Sequence, residues 1–356
     1  MTGVLVLVTG TGRSGTSTIS GTLHHLGLHV PGPYLGANDS NPKGFFESSW
    51  AVSFHKEVCA AAGIDGFDSR PTALQRVQDA LTPELRARLV EFLREHASSP
   101  QVVVKDPRSV WVQRLWKEAA AEVDLEIRYL SMLRHPAEVV GSRTTYYASR
   151  ADEVARLRYE TINVARWVNS SLVSERETRG EMRAFVPYTE LLDDWRPVLS
   201  RVADELGLTL NSDLSTADHH PVDDFIDPGL RRHQVTWDDL DAPQELRDVA
   251  QQVWDQQLGL CRSHGVDTDA STQLDRLGER YSRILTEAAA ISHDTVEEAR
   301  RDARRAGARE ERTRMARKRA AARHERPLED RPLRDIGGRD LLREAARRTV
   351  RRLRRS

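Results

Sequence analysis

Apolar residues fall along this chain in two rhythms. Val4-Leu5-Val6-Leu7-Val8 is an unbroken run, three of its five residues β-branched, and it reads as a short strand buried on both faces of a parallel sheet. Ile19, Leu23 and Leu26 then recur at helical spacing, with Gly27 as a stop. The alternation continues. Residues 49–62 read as a helix ending near Gly63, 64–82 as loop, and Pro83 opens a helix that aligns Leu85, Leu89, Phe92 and Leu93. Residues 101–104 form a second β-branched run. A helix with Val110, Leu115 and Trp116 follows, and 125–133 is a third strand. Pro136 opens another helix, 152–178 reads as a long one ended by Gly180, and 182–186 is a fourth strand. Helices are expected over 196–206, 244–264 and 272–290, while the pattern fades between 215 and 243. Strands separated by helices predict an α/β fold, a parallel β-sheet flanked by helices.

The last sixty residues change character. Residues 297–322 are rich in Ala, Arg and Glu with few large apolar side chains, Pro327 and Pro332 interrupt, and 339–355 is arginine-rich with Leu341, Leu342, Val350 and Leu353. The net charge of −1 hides this asymmetry: residues 297–356 hold 22 basic and 11 acidic residues, leaving the first 296 with 31 basic and 43 acidic. We therefore divide the chain into a body, 1–265, and a helical, basic extension, 266–356. The extension reads as a solvated charged helix or as a contact to an anionic membrane surface, nucleic acid or protein, the protein's own acidic body included. A specific nucleic-acid partner is not expected. Two cysteines, Cys59 and Cys261, offer neither a disulfide framework nor metal-ligand spacing. With no apolar run of membrane-spanning length and no basic start before the first strand, a cytoplasmic protein is the expectation.

The chemistry concentrates after the strand. Gly10-Thr11-Gly12-Arg13-Ser14-Gly15-Thr16-Ser17-Thr18 packs three glycines among hydroxyl residues and leads into a helix. Strand, glycine-rich turn and helix make a phosphate cradle, because inward-pointing N–H groups and the helix dipole both favour an anion. The nucleoside-triphosphatase form of this loop is G-x-x-x-x-G-K-[ST]; here Thr16 takes the lysine's place and Arg13 is the loop's cation. A triphosphate handled with Mg²⁺ needs that lysine. One tetrahedral anion transferred without metal can use a cation earlier in the loop.

The R-S-G-T-S run resembles the phosphosulfate-binding loop of bacterial sulfotransferases, which use 3′-phosphoadenosine-5′-phosphosulfate as donor. Four further stretches share the resemblance: N-P-K-G-F-F-E at 41–47, K-D-P-R at 105–108, Arg134 with Pro136 and Ser142, and Pro187-Tyr188-Thr189-Glu190-Leu191-Leu192. It covers roughly residues 3 to 235. It implies a sulfotransferase fold and transfer of a sulfuryl group to a hydroxyl or amine of a small-molecule or glycolipid-like acceptor, without metal. Arg13, Ser14, Gly15, Thr16, Ser17 and Thr18 would then hold the 5′-phosphosulfate, and Arg134 with Ser142 the 3′-phosphate. Tyr188 would lie near the adenine, and Arg231 and Arg232, on the late loop that covers the donor, would reach its 3′-phosphate. Arg13 and Glu47 are the candidate catalytic residues, Glu47 as base or else as a helix cap; Phe45, Lys105 and Asp106 are candidate acceptor contacts. Asp106 also stands where a metal-holding acid follows a strand in a triphosphatase. A P-loop kinase or triphosphatase with a displaced cation is thus the alternative enzyme, and a non-enzymatic nucleotide-binding scaffold the alternative class.

Overall fold

The computed structural model describes residues 3–36, 41, 43–147, 152–216, 218–227, 229, 231, 234–325 and 337–353. Its sheet has four parallel strands, β1 (Gly3–Thr9), β2 (Gln101–Lys105), β3 (Leu125–Leu133) and β4 (Arg183–Pro187), in the order β2-β1-β3-β4. The expected α/β class is therefore the observed one. Interior β1 is hydrogen-bonded on both sides, which is why its sequence is apolar without alternation.

Along β1, successive side chains still point to opposite faces and sort into two cores. Leu5 and Leu7 join Val102, Val104 and Tyr129 beneath α2 (Ser49–Ala61), α3 (Ala73–Ala80), α4 (Pro83–His96) and α5 (Gln113–Ala121). On the other face, Val6 and Val8 join Val103, Leu130, Met132 and Val186. Their cover is α1 (Thr16–His25), α8 (Tyr188–Asp193), α9 (Trp195–Leu206) and α10 (Pro221–Phe225). A third core gathers Leu133 and Phe185 with α6 (Pro136–Tyr147), α7 (Glu153–Glu177), α11 (Gln244–Arg262) and α12 (Thr268–Ile291).

Two expectations shift. The stretch 64–82 contains α3, whose Ala73, Leu74 and Val77 are buried; eight residues give too few turns for a periodic signature. The first compact unit runs to Thr286 rather than 265, because α12 buries Ala270, Leu274, Leu277 and Tyr281, and the Tyr281 hydroxyl donates to the Ala165 carbonyl at 2.9 Å. Glu287–Ser356 form a second unit, containing α13 (His293–Glu325) and α14 (Gly338–Leu353). Among the described residues no helix is long and apolar enough to cross a membrane.

Candidate anion and acceptor site

All four strands run parallel, so Thr9, Lys105, Leu133 and Pro187 end at one edge of the sheet, where α/β folds bind ligands. The glycine-rich loop leaves β1 there. Its turn closes with the Ser14 N–H on the Thr11 carbonyl at 3.1 Å and the Thr11 and Ser14 hydroxyls 2.6 Å apart. Arg13 has φ +77°, a left-handed backbone uncommon outside glycine. Gly15, at φ +88°, lies under the Tyr188 ring, and a Cβ there would sit 2.2 Å from Cδ2, so only glycine fits. Helix α1 starts at Thr16 with no side-chain cap and no acidic residue in its first turn. Its leading N–H groups are thus offered to an anion.

Arg134 from the end of β3 and Arg143 from α6 both reach this loop, Arg143 Nη2 donating to the Gly12 carbonyl at 3.5 Å. Arg13 Nε donates to Ser142 Oγ at 3.1 Å, while Arg134, at the end of β3, donates through Nη1 to the Arg13 carbonyl at 3.0 Å. Arg134 Nε also donates to Glu138 Oε2 at 2.9 Å, and its guanidinium lies 5.0 Å from the centroid of the Tyr188 ring. Arg231 Nη2 reaches the other oxygen of Glu138 at 2.7 Å. Burial pushes the Glu138 carboxyl up, but hydrogen bonds from Arg231 and Arg134 hold it below the usual range. One carboxylate therefore gathers both arginines.

A cavity of about 370 Å³ opens beside them, lined by Arg134, Glu138, Tyr188, Arg231, Trp237 and Trp254 among others. Its aromatic wall is fixed. His135 Nδ1 accepts from the Ala137 N–H at 3.3 Å, so its Nε2 carries the hydrogen donated to Gln251 Oε1 at 3.0 Å, and Trp237 Nε1 donates to the same oxygen at 2.8 Å. Trp237 and Trp254 pack edge-on against the His135 ring.

On the other side of the loop stands Lys105. Parallel register pairs it with Val8, one residue before the end of β1. Its fully buried ammonium donates to Ser17 Oγ at 3.0 Å and to Glu47 Oε1, and lies 6.0 Å from the centroid of the Phe45 ring. Desolvation dominates at both partners: it raises the Glu47 carboxyl and lowers the Lys105 ammonium against their mutual attraction. Phe46, with φ +48° and its carbonyl accepting from Ser20 Oγ at 3.0 Å, fixes the chain just before Glu47.

Asp106 is placed differently. Its side chain is wholly buried, Oδ2 accepts from His55 Nδ1 at 2.9 Å, and Oδ1 accepts from Arg108 Nη1 at 2.6 Å and the Arg108 N–H at 3.1 Å. Trp116 Nε1 donates to His55 Nε2 at 2.9 Å, which leaves the imidazole hydrogen on Nδ1 facing Asp106. Burial pushes this carboxyl up, but the His55 hydrogen bond and Arg108 together hold it below the usual range.

Of the residues singled out from sequence, the loop residues Arg13 to Thr18 come together with Glu47, Lys105, Phe45, Arg134, Ser142 and Tyr188. Arg231 arrives through Glu138. Asp106 turns into the protein, and Arg232 lies outside the described residues. Sequence reading passed over Glu138, His135, Trp237 and Trp254. Glu138, four residues after Arg134, is the one with a legible signal, an i,i+4 charge pair. Among the described residues no group of three His, Cys, Asp or Glu is placed to hold a metal ion.

No family model matches the chain, and a search of curated proteins returned no match. Among solved structures, the chain is similar to the sulfotransferase domain of the Synechococcus PCC 7002 olefin synthase, with 17% identity, TM-score 0.39, and coverage of 72% of this chain and 95% of that one. It is also similar to the sulfotransferase domain from the curacin biosynthetic pathway, with 16% identity, TM-score 0.37, and coverage of 72% and 97%. A third is the sulfotransferase STF1 from Mycobacterium tuberculosis H37Rv, with 12% identity, TM-score 0.39, and coverage of 71% and 77%. All three neighbours are sulfotransferases or sulfotransferase domains.

Proposed function

We propose that the chain is a sulfotransferase that moves a sulfuryl group from 3′-phosphoadenosine-5′-phosphosulfate to a hydroxyl or amine acceptor. The observation that carries this reading is the hydrogen bond from Arg134 to the Arg13 carbonyl, which joins the glycine-rich loop and its cation to an arginine that lines an aromatic-walled cavity. A nucleotide with anionic groups at both its 5′ and 3′ positions fits that pairing. The R-S-G-T-S and Arg134-to-Ser142 resemblances point the same way.

The donor supplies an activated sulfuryl group; the chain supplies position and charge. Uncapped N–H groups at the start of α1 and the hydroxyls of Thr16, Ser17 and Thr18 bind the 5′ end. Arg13, held by Ser142, neutralises the leaving phosphate as the S–O bond breaks. Glu47 takes the acceptor's proton while the acceptor oxygen or nitrogen bonds to sulfur. Its raised pKa makes it a better base than a solvated carboxylate, and Lys105 fixes its orientation.

One observation favours a second reading. Lys105 beside Ser17 restores a lysine near the loop, as a nucleoside-triphosphate site requires. Thermal shift with 3′,5′-bisphosphoadenosine, ADP and ATP, with and without Mg²⁺, separates the two. A ligand at a hundred times its dissociation constant stabilises the fold by about 2.7 kcal/mol. The proposal requires the largest shift from 3′,5′-bisphosphoadenosine, unchanged by chelator; a larger, Mg²⁺-dependent shift with ATP overturns it.

A further inference from the structure

Helices α13 and α14 of the second unit are both basic, but their surfaces differ. Over residues 293–318 of α13, Val296 and Met315 are the large apolar side chains among Arg, Glu and Ala. Helix α14 carries Leu341, Leu342, Val350 and Leu353 in sixteen residues, exposed by 43%, 72%, 50% and 71%. At about 100° per residue these four, with Ala345, Ala346 and Thr349, fall within an arc of about 180°. Arg343, Arg347, Arg348 and Arg351 occupy the opposite arc together with Glu344, whose carboxylate pairs with Arg348 at 3.3 Å. An exposed pair of this kind contributes little to holding the helix. Arg339 and Arg352, near the two ends of the helix, fall inside the apolar arc, where a long side chain can carry its charge out to the polar side. Six arginines against two acids leave α14 with a net charge of +4.

We infer that α14 is an interfacial helix that lies on the surface of an anionic phospholipid bilayer. The inference is independent of the proposed reaction. Both halves of the helix surface find a complement there: the leucines and valine enter the acyl boundary while the arginines face the phosphate layer. A nucleic-acid duplex would satisfy the arginines but offers no apolar counterpart to Leu342 and Leu353. Helix α13, with the same sign of charge and no apolar arc, lacks this complement and stays in water.

The test uses the full chain with sedimented vesicles of phosphatidylcholine alone, or with about 30% phosphatidylglycerol. The chain should partition onto the anionic vesicles and not the neutral ones, and the binding should weaken with salt. Each arginine near such a surface contributes about fivefold to partitioning, so Arg347→Gln/Arg351→Gln should lower it by about 25-fold. Leu342→Ala/Leu353→Ala, which preserves helix propensity, should lower it at least about tenfold. Equal binding to neutral vesicles, no binding at low salt, or leucine variants that bind as well as the parent would each overturn the inference. So would two other results: tight binding to a DNA duplex that survives the leucine changes, and self-association in sedimentation velocity that those changes abolish.

Discussion

Two buried carboxylates flank the end of β2, and their pKa values are displaced in opposite directions. Glu47, at the end of the loop after α1, has one hydrogen-bonding cation, Lys105, and desolvation raises its pKa. Asp106 is more deeply buried, yet His55, the Arg108 guanidinium and the Arg108 N–H hold its pKa down. The difference lies in the number of donors rather than in depth. A carboxylate with one partner can exchange a proton with a substrate, whereas one with both oxygens engaged is a structural anion. On the proposed reaction, Glu47 is then the base and Asp106 the brace.

The largest effect expected from breaking this comparison is at Glu47. Glu47→Gln should lower turnover by about 10²–10⁴-fold while 3′,5′-bisphosphoadenosine binding, read by calorimetry, stays at the parent value. If Glu47 were only a helix cap, the variant would lose about 1 kcal/mol of stability and keep its rate.

Asp106→Asn should show the reverse signature. Removing one partner of a buried charged pair costs about 3–5 kcal/mol, to be read by urea denaturation, and turnover per folded molecule should change little. The pH dependence follows from the sign of the shift. A carboxyl depressed below its ordinary 3.8 contributes stability that is present above 3.8 and lost as pH falls through the lower folded value. The Asn variant should lack that acid-side loss.

Arg134→Ala sharpens the donor side with a smaller change. Losing a charge-assisted hydrogen bond to phosphate should weaken 3′,5′-bisphosphoadenosine by about 1.5–3 kcal/mol. Adenosine-5′-phosphosulfate, lacking the 3′-phosphate, should bind as before; equal losses would make Arg134 a brace for the Arg13 carbonyl instead.

The smallest expected effect is a displaced limb in a pH profile. Because Glu47 must be deprotonated to act and its pKa is raised, kcat/KM should fall with decreasing pH through a value above the ordinary 4.5. That limb should vanish from the residual rate of Glu47→Gln.

What was legible in the sequence was local. The run from Val4 to Thr18 encodes strand, turn and helix in consecutive residues, and Arg134 to Ser142 does the same at β3, so both were readable as units. Lys105 was visible as a strand-end charge, but its place beside Ser17 depends on the pairing of Val8 with Lys105, a register between strands far apart in sequence. Asp106 was read as an acceptor contact from its position after the strand. Of its actual partners, Arg108 is local, two residues on, but His55 on α2, with Trp116 on α5 behind it, comes from packing that no spacing rule encodes. Trp237 and Trp254 stayed invisible for the same reason: one lies where the apolar pattern fades, the other on a helix face indistinguishable from core.

Sulfuryl transfer itself can be read by incubating the chain with 3′-phosphoadenosine-5′-phosphosulfate labelled at sulfur, a broad panel of hydroxyl and amine acceptors, and a metal chelator. Label should move to at least one acceptor, and Glu47→Gln, with donor binding intact, should transfer it about 10²–10⁴-fold more slowly. Failure of the parent chain to bind the labelled donor, or a Glu47→Gln variant that transfers at the parent rate, would contradict the proposed reaction.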